Sequence, residues 1–236
     1  MSIKNKYKVE SIDAYLCKDW LLNKHYAKRI PNIVYSFGLF DDNVLVGVCT
    51  FGMPPTPFFS TIFIGEKYYE LNRLCIKDGM PKNTLSFFVS KCLKKFKQCI
   101  IVSYADPNNG HNGYIYQATN WIYTGVGRVN QKDKRGVNRF FLNGIEFHER
   151  HISETMKKYK FNIDKLKTVN ENWLNNGGKI LKQERKHRYF FICGDALFKK
   201  KINKIINGHF KITPYPKGDN KRYDSSYLPI IQSKLF

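Results

Sequence analysis

Apolar and polar positions along the chain switch repeatedly between a period near 3.6 and a period of two, and the switches mark out an ordered series of elements. Between Ser11 and Ala27, the residues Ile12, Leu16, Trp20 and Leu21 fall near helical spacing. Pro31 closes the helix this predicts, with His25 and Tyr26 at its end. Ile33 to Phe40 and Val44 to Phe51 are β-rich runs joined by Asp41-Asp42-Asn43, the turn chemistry of a hairpin. Tyr68 to Ile76 alternates as a strand, with Glu70, Asn72 and Leu74 on one face and Leu71, Arg73 and Cys75 on the other, so a charge meets an apolar face either way. Lys77 to Ser86 reads as a turn entering a helix of about 14 residues that ends near Phe96, with Asn83 or Thr84 as its cap. A strand over Cys99 to Tyr104, a strand pair over 122–129 and 137–142, a helical stretch over 146–173 and a strand over Arg188 to Cys193 follow. Asp195 then caps a basic helix running through Lys199-Lys200-Lys201. The order predicts a mixed α/β (α+β) protein built around one sheet.

Charge narrows the class of partner. The chain of 236 residues has 40 Lys and Arg against 19 Asp and Glu, a net charge of +21, well beyond what solubility requires. Residues 1–125 contribute +6 and residues 126–236 contribute +15, which puts the expected footprint of a polyanion in the second half. No apolar run approaches the length of about 18 residues that spans a bilayer, and no charged-then-apolar leader is present, so a cytoplasmic protein is expected. Six cysteines stand singly among apolar residues without a C-x-x-C pair and read as buried thiols.

Candidate chemistry concentrates between Ser103 and Gly125. Asp106, His111, Tyr114, Tyr116, Gln117, Asn120, Trp121 and Tyr123 crowd into this stretch, too polar for a core and too aromatic for a solvated surface. They describe either a lined cleft or a Gly/Asn-rich turn leading to an amphipathic helix whose tyrosines merely pack. Ser86 falls in the first turn of its helix, where unpaired backbone N–H groups suit a phosphate, or where it simply helps to cap. Asp106 stands just beyond a central strand, the place where open α/β sheets hold ligands, although an Asx-turn with Pro107 would use the same residue.

The run Glu70-Leu71-Asn72-Arg73-Leu74, then Pro81-Lys82-Asn83 with Ser86, Ser103-Tyr104-Ala105-Asp106, Gly110-His111, Tyr116 to Trp121 and Tyr123-Thr124-Gly125 resembles the Mom family of phage DNA adenine-modification proteins over roughly residues 20–195. The resemblance implies a fold similar to the GNAT acyltransferases, a single mixed and mostly antiparallel sheet flanked by helices. It also implies conversion of adenine in DNA to an N6-carbamoylmethyl form that restriction enzymes fail to cut, with double-stranded DNA as partner. The acetyltransferase signature Gln/Arg-x-x-Gly-x-Gly/Ala is absent, and Asp78 to Ser86 occupies its place with Gly79 alone. The expected donor is acetyl-CoA or another acyl or aminoacyl donor. Acetyl transfer alone does not yield a carbamoylmethyl group, so a nitrogen-containing component must also enter.

Adenine N6 is a poor nucleophile and needs a base. The expected catalytic residues are Asp106 as that base, Tyr116 as proton donor or donor ligand, and His111. Arg73, Asn83 and Ser86 are expected to hold the donor. Asn120, Trp121 and Tyr123 are expected on the substrate, with stacking on an extruded adenine and burial against the sheet both open for Trp121. Lys132, Lys134, Arg135 and Lys199 to Lys201 are expected on the DNA backbone. His25, His111 and Asp106 could form a two-His, one-carboxylate iron site, against which plain polar lining is the simpler expectation. The expected organisation is a catalytic domain over residues 1–210, with a basic helical insertion at about 146–180, followed by a basic arm over 211–236. An acyltransferase acting on tRNA or protein amines, and a DNA-binding protein without catalysis, remain as alternatives.

Overall fold

A computed structural model describes residues 3–127, 137–147 and 151–218. In chain order the first elements are α1 (Ile3–Lys6), β1 (Tyr7–Ser11), β2 (Tyr35–Asp41), β3 (Val44–Gly52), α2 (Phe58–Ile62), β4 (Tyr68–Ile76), α3 (Thr84–Leu93) and β5 (Cys99–Ala105). They are followed by α4 (Tyr114–Gln117), β6 (Ile122–Val126), β7 (Val137–Leu142), β8 (Ile145–Phe147), α5 (Ile152–Lys158), α6 (Val169–Asn175), β9 (Lys179–Gln183), β10 (His187–Cys193) and α7 (Ala196–His209). Contacts divide the chain into two units, one of Met1–Val129 with Lys186–Phe236 and one of Asn130–Arg185.

The larger unit is organised on a seven-stranded sheet in the order β1-β2-β3-β4-β5-β10-β6. Neighbours run antiparallel throughout except β4 and β5, which are parallel. The mixed, mostly antiparallel sheet with flanking helices is therefore as expected. Central β5, Cys-Ile-Ile-Val-Ser-Tyr-Ala, is apolar on both faces because both are covered. On one side Phe51, Leu71, Ile101 and Tyr189 pack with Phe88, Val89 and Cys92 of α3. On the other, Ile100, Val102, Phe190 and Ile192 pack with Phe59 of α2 and with Phe198, Ile202 and Ile206 of α7. Asp195 starts α7 as expected, its Oδ1 accepting the Phe198 N–H at 2.8 Å.

Several expectations need correction. The helix expected over Ser11 to Ala27 is a 3₁₀ turn (Ala14–Cys17) followed by a π turn (Trp20–Lys24). The wider turn keeps Trp20, Leu21 and Lys24 buried together, the first two against Phe40, Leu45 and Val48 of the hairpin. The helix after Asn83 stops at Leu93, and Asn83 takes the capping position in the left-handed region (φ 71°) without a side-chain cap. The strand pair of 122–129 with 137–142 does not form. β6 joins β10 instead, where Arg188 donates from Nε to Thr124 Oγ1 at 2.9 Å and from Nη2 to the Thr124 carbonyl at 3.2 Å.

β7 belongs to the second unit, in a three-stranded antiparallel sheet ordered β8-β7-β9. Phe140, Leu142, Ile152, Met156 and Trp173 form its core. The helical stretch expected over 146–173 is here a strand and two short helices, because Lys160 turns left-handed (φ 52°) after α5 and Thr168 begins α6 afresh with a Thr168/Glu171 capping box. Of the expected C-terminal arm, Thr213 donates its N–H to the Tyr123 carbonyl at 3.2 Å, and Tyr215 donates to the Trp121 carbonyl at 2.6 Å. The arm beyond Gly218 lies outside the described residues. Among the described residues no helix is long and apolar enough to cross a membrane.

Candidate active site

Among the described residues the large sheet has one parallel ladder, and it is short. β4 and β5 pair at Tyr68↔Ile100, Tyr69↔Ile101 and Glu70↔Val102, and then part while both strands continue. Parting strands leave backbone groups without ladder partners. Ser103 repairs one of them, its hydroxyl donating to the Leu71 carbonyl at 2.7 Å. The Tyr116 hydroxyl of α4 lies 2.7 Å from the same Ser103 oxygen. Burial pushes the Tyr116 phenol well above its ordinary range, so it carries its proton at neutral pH.

Glu70 is the last paired residue before the strands part. Burial pushes its carboxyl up to about 7, against the opposing pull of Arg73, Lys186 and Arg29. Among the described residues no hydrogen bond or ion pair engages it. Arg73, three residues on, donates from Nη1 to the Asn72 carbonyl at 2.6 Å and leaves its buried Nε without a partner among the described residues. A buried donor in that condition is an opening for an anionic group.

The turn after β5 brings in the next set. Asp106 Oδ1 accepts from the backbone N–H of Asn108 at 3.1 Å and from its side-chain amide at 2.9 Å, while Oδ2 faces Lys186 Nζ at 3.4 Å. The Asx-turn geometry and the site position thus coexist in one residue. His111 is half-buried, and its Nε2 has no partner among the described residues. Burial lowers its pKa, with Asp106 pulling the other way.

His25 and Tyr26 arrive from the π turn. The His25 ring stacks on Tyr26 with centroids 4.4 Å apart, and Tyr26 lies 5.4 Å from the His111 ring. His25 Nδ1 accepts the Ala27 N–H at 3.1 Å, which puts the proton of the neutral ring on Nε2. Burial first, then the charges of Arg73, His111 and Lys186, push His25 down to about 3. Among the described residues no three His, Cys, Asp or Glu side chains converge to hold a metal ion, and His25 and His111 flank Tyr26 instead.

The donor residues expected from sequence divide. Asn83 and Ser86 line an open groove of about 1330 Å³ beside α3, together with Asn120. Lys4, Lys91, Lys94 and Lys199 also line it, and among the described residues no carboxylate does. Ser86 Oγ donates to the Asn83 carbonyl at 3.0 Å. Arg73 stands apart, in the cluster with Glu70. Trp121 is buried against Tyr116 and Phe191, the second of its two open readings, and Tyr123 is buried with its hydroxyl 2.7 Å from His187 Nδ1. Lys132, Lys134 and Arg135 lie outside the described residues. Sequence reasoning did not assign Glu70, Tyr26 or Lys186 to the site. The one available signal was a strand whose alternation points a charge at an apolar face whichever way it is turned.

The model of the Mom protein family matches residues 6–217 of this chain. The chain is similar to the methylcarbamoylase Mom of Escherichia phage Mu, 27% identical over 220 residues that cover 89% of this chain and 83% of that protein. Among solved structures it is similar to a GNAT family acetyltransferase from Elizabethkingia anophelis with acetyl-CoA bound, 9% identical with a TM-score of 0.40 over 80% of this chain and 99% of that one. A Bacillus subtilis acetyltransferase in complex with CoA is 11% identical, with a TM-score of 0.42 over 79% and 99% of the two chains. The family match takes in β4 with Glu70, the turn after β5 with Asp106, and Lys186 just before β10, and so runs through the whole of the site: the chain belongs to the Mom protein family.

Proposed function

We propose that the chain is a transferase that modifies the N6 amino group of adenine in DNA, giving the N6-carbamoylmethyl form and shielding phage DNA from restriction. Its phage Mu relative bears the name methylcarbamoylase. The observation that carries the reading is a carboxylate, Glu70, with no hydrogen bond or ion pair among the described residues, where β4 and β5 part, flanked by cationic groups, in a chain of this family.

The N6 lone pair is delocalised into the ring, so its proton must leave as the new N–C bond forms. The expected base was Asp106. Its carboxylate is already engaged by Asn108 and Lys186, whereas Glu70 makes no hydrogen bond or ion pair among the described residues and burial pushes it up to about 7, which favours Glu70 as acceptor. Asp106 then holds Lys186 in place beside the site. Neutral Tyr116 retains a proton for a leaving group, and Arg73 Nε offers a hydrogen bond to an anionic substrate atom.

The lysine-lined groove with Asn83 and Ser86 fits a phosphate-bearing acyl donor of the coenzyme A class. Attack of N6 on an acyl thioester would release the thiolate and leave an N6–C(=O) bond, whereas the carbamoylmethyl group is joined to N6 through a CH2, so the N6–CH2 bond also requires a co-substrate beyond the thioester. The amide nitrogen of the product must come from a nitrogen-bearing donor or co-substrate. Backbone contacts to double-stranded DNA are assigned to the basic second half, including Lys132, Lys134 and Arg135.

Mass spectrometry of nucleosides from DNA of cells expressing the chain tests the reading. A modified deoxyadenosine, with resistance of that DNA to restriction enzymes, is the expected result. Unmodified adenine alongside acylated tRNA or protein would replace it with the amine-acyltransferase reading.

A further inference from the structure

The most exposed large apolar side chain described is Leu166, at 97%, on the turn between α5 and α6 of the smaller unit. One exposed leucine is ordinary. What sets this one apart is the stiffness of the turn that presents it. Asp164 accepts the Leu166 N–H on Oδ1 at 2.9 Å, and its carbonyl accepts the Lys167 N–H at 3.2 Å. Buried Asn172 grips the same turn, accepting the Asp164 N–H at 2.8 Å and donating to the Asp164 carbonyl at 2.9 Å. Asn162 and Asn176 exchange hydrogen bonds at 2.8 and 3.0 Å on one side, and the Thr168/Glu171 capping box closes the other. The loop backbone is thus tied at both ends and in the middle, yet the side chain at its tip touches almost nothing.

The setting of the leucine identifies what covers it. Lys165 and Lys167 flank it directly. Residues 157–167 carry five lysines (Lys157, Lys158, Lys160, Lys165 and Lys167) against Asp164 alone, whose carboxylate already faces Lys167 at 3.5 Å. An apolar tip between cations matches duplex DNA, where phosphates lie on both sides of a groove and the stacked bases form its floor. Proteins that kink or open a duplex insert apolar wedges of this type between base steps. An enzyme acting on the N6 edge of a paired adenine must take that base out of the stack, which costs a few kcal/mol.

We infer that Leu166 is a wedge that enters duplex DNA between base steps, with the lysines of residues 157–167 on the flanking phosphates. The inference rests on the reading of DNA as substrate and deepens it by assigning the opening of the duplex to the smaller unit.

The test compares the full chain with Leu166→Ala and Leu166→Phe, first confirming by thermal melting that both variants fold as the parent does. Modification is measured on a duplex and on the same target strand left single. Leu166→Ala is expected to slow modification of the duplex about 10-fold and to leave the single strand within about twofold, with Leu166→Phe keeping most of the duplex rate. Binding to duplexes carrying 2-aminopurine at successive positions reads unstacking without chemistry, and the fluorescence rise seen with the parent should be lost in Leu166→Ala. Equal effects of Leu166→Ala on both substrates, or no effect on either, would overturn the wedge. So would binding by the parent without a fluorescence rise, or a Leu166 dependence found for anionic vesicles and not for DNA. If the parent modifies neither substrate, the proposed activity falls, while the fluorescence still decides the wedge.

Discussion

Ser103 Oγ lies 2.7 Å from the Tyr116 hydroxyl and 2.7 Å from the Leu71 carbonyl, so one hydroxyl ties the parting strands to each other and to α4. Its single proton goes to the carbonyl, which can only accept, and the Tyr116 proton then points back to Ser103. Ser103→Ala leaves both partners buried and unsatisfied, and is expected to lower stability by about 1–3 kcal/mol. Tyr116→Phe keeps the ring against Trp121 and Tyr189 and should melt close to the parent while losing activity. Chemical denaturation and single-turnover modification of the two variants check this. A Tyr116→Phe variant of parental activity would remove Tyr116 from the chemistry.

Glu70 ties activity and stability to pH in opposite senses. As the base it must be ionised, so the rate should climb with pH through about 7. Its folded pKa is raised above the ordinary 4.5, so the stability it contributes is full below that value and is lost as pH rises through about 7. Glu70→Gln should abolish the rise in rate, cutting activity about 100-fold or more, and should gain stability relative to the parent at pH 8. Asp106→Asn should lose less activity, because Asn108 and Lys186 already occupy that carboxylate. A parental rate in Glu70→Gln together with a 100-fold loss in Asp106→Asn would return the base role to Asp106.

His25 should shape the acid side. Its folded pKa of about 3 lies below the ordinary 6.5, so its contribution to stability is present above 6.5 and is lost as pH falls toward 3. His25→Gln is expected to flatten the fall in stability between these limits. Urea denaturation midpoints at successive pH values read the effect, and an unchanged pH dependence would mean that His25 is solvated.

Those groups also show what the sequence could and could not reveal. The hairpin, β4, β5, β10 and the Asp195 cap follow from periodicity and turn residues, because each is specified within a window of about ten residues. The partnership of His25 and Tyr26 with His111 depends on the π turn that buries Lys24, whose Nζ reaches Asp78 Oδ2 at 2.6 Å. No local pattern encodes that turn. The setting of Glu70 required the parting of two strands distant in sequence, and β7 pairs with β9, far along the chain, while β6 pairs with β10.

The groove beside α3 gives a further expectation. If phosphates of the donor lie along it, Lys91→Ala with Lys94→Ala should raise the KM for the donor about 10-fold and leave kcat nearly unchanged, as loss of uniform binding does. Ser86→Ala should act in the same direction and less strongly, since its hydroxyl already serves the Asn83 carbonyl. A fall in kcat without a change in KM would mean that the groove shapes the site without holding the donor.

DNA affinity should depend steeply on salt, since a chain of net charge +21 that neutralises backbone phosphates releases their counterions. The residues expected to do so were Lys132, Lys134, Arg135 and Lys199 to Lys201. Lys201 is paired with Glu66, and Lys199 lines the groove beside α3. Lys132, Lys134 and Arg135, which share one loop of the sequence, are the direct test, with Lys200 as a further candidate. Replacing all three by Ala should reduce the slope of log K against log salt by about 2 to 3 units and weaken binding similarly on every sequence, because phosphates carry no base identity. Leu166→Ala, which removes no charge, should leave that slope as it is. Titrations of labelled duplex over a range of potassium chloride concentrations separate the two effects. A slope unchanged in the triple variant would move the backbone contacts to the lysines of residues 157–167, where the same titration can be repeated.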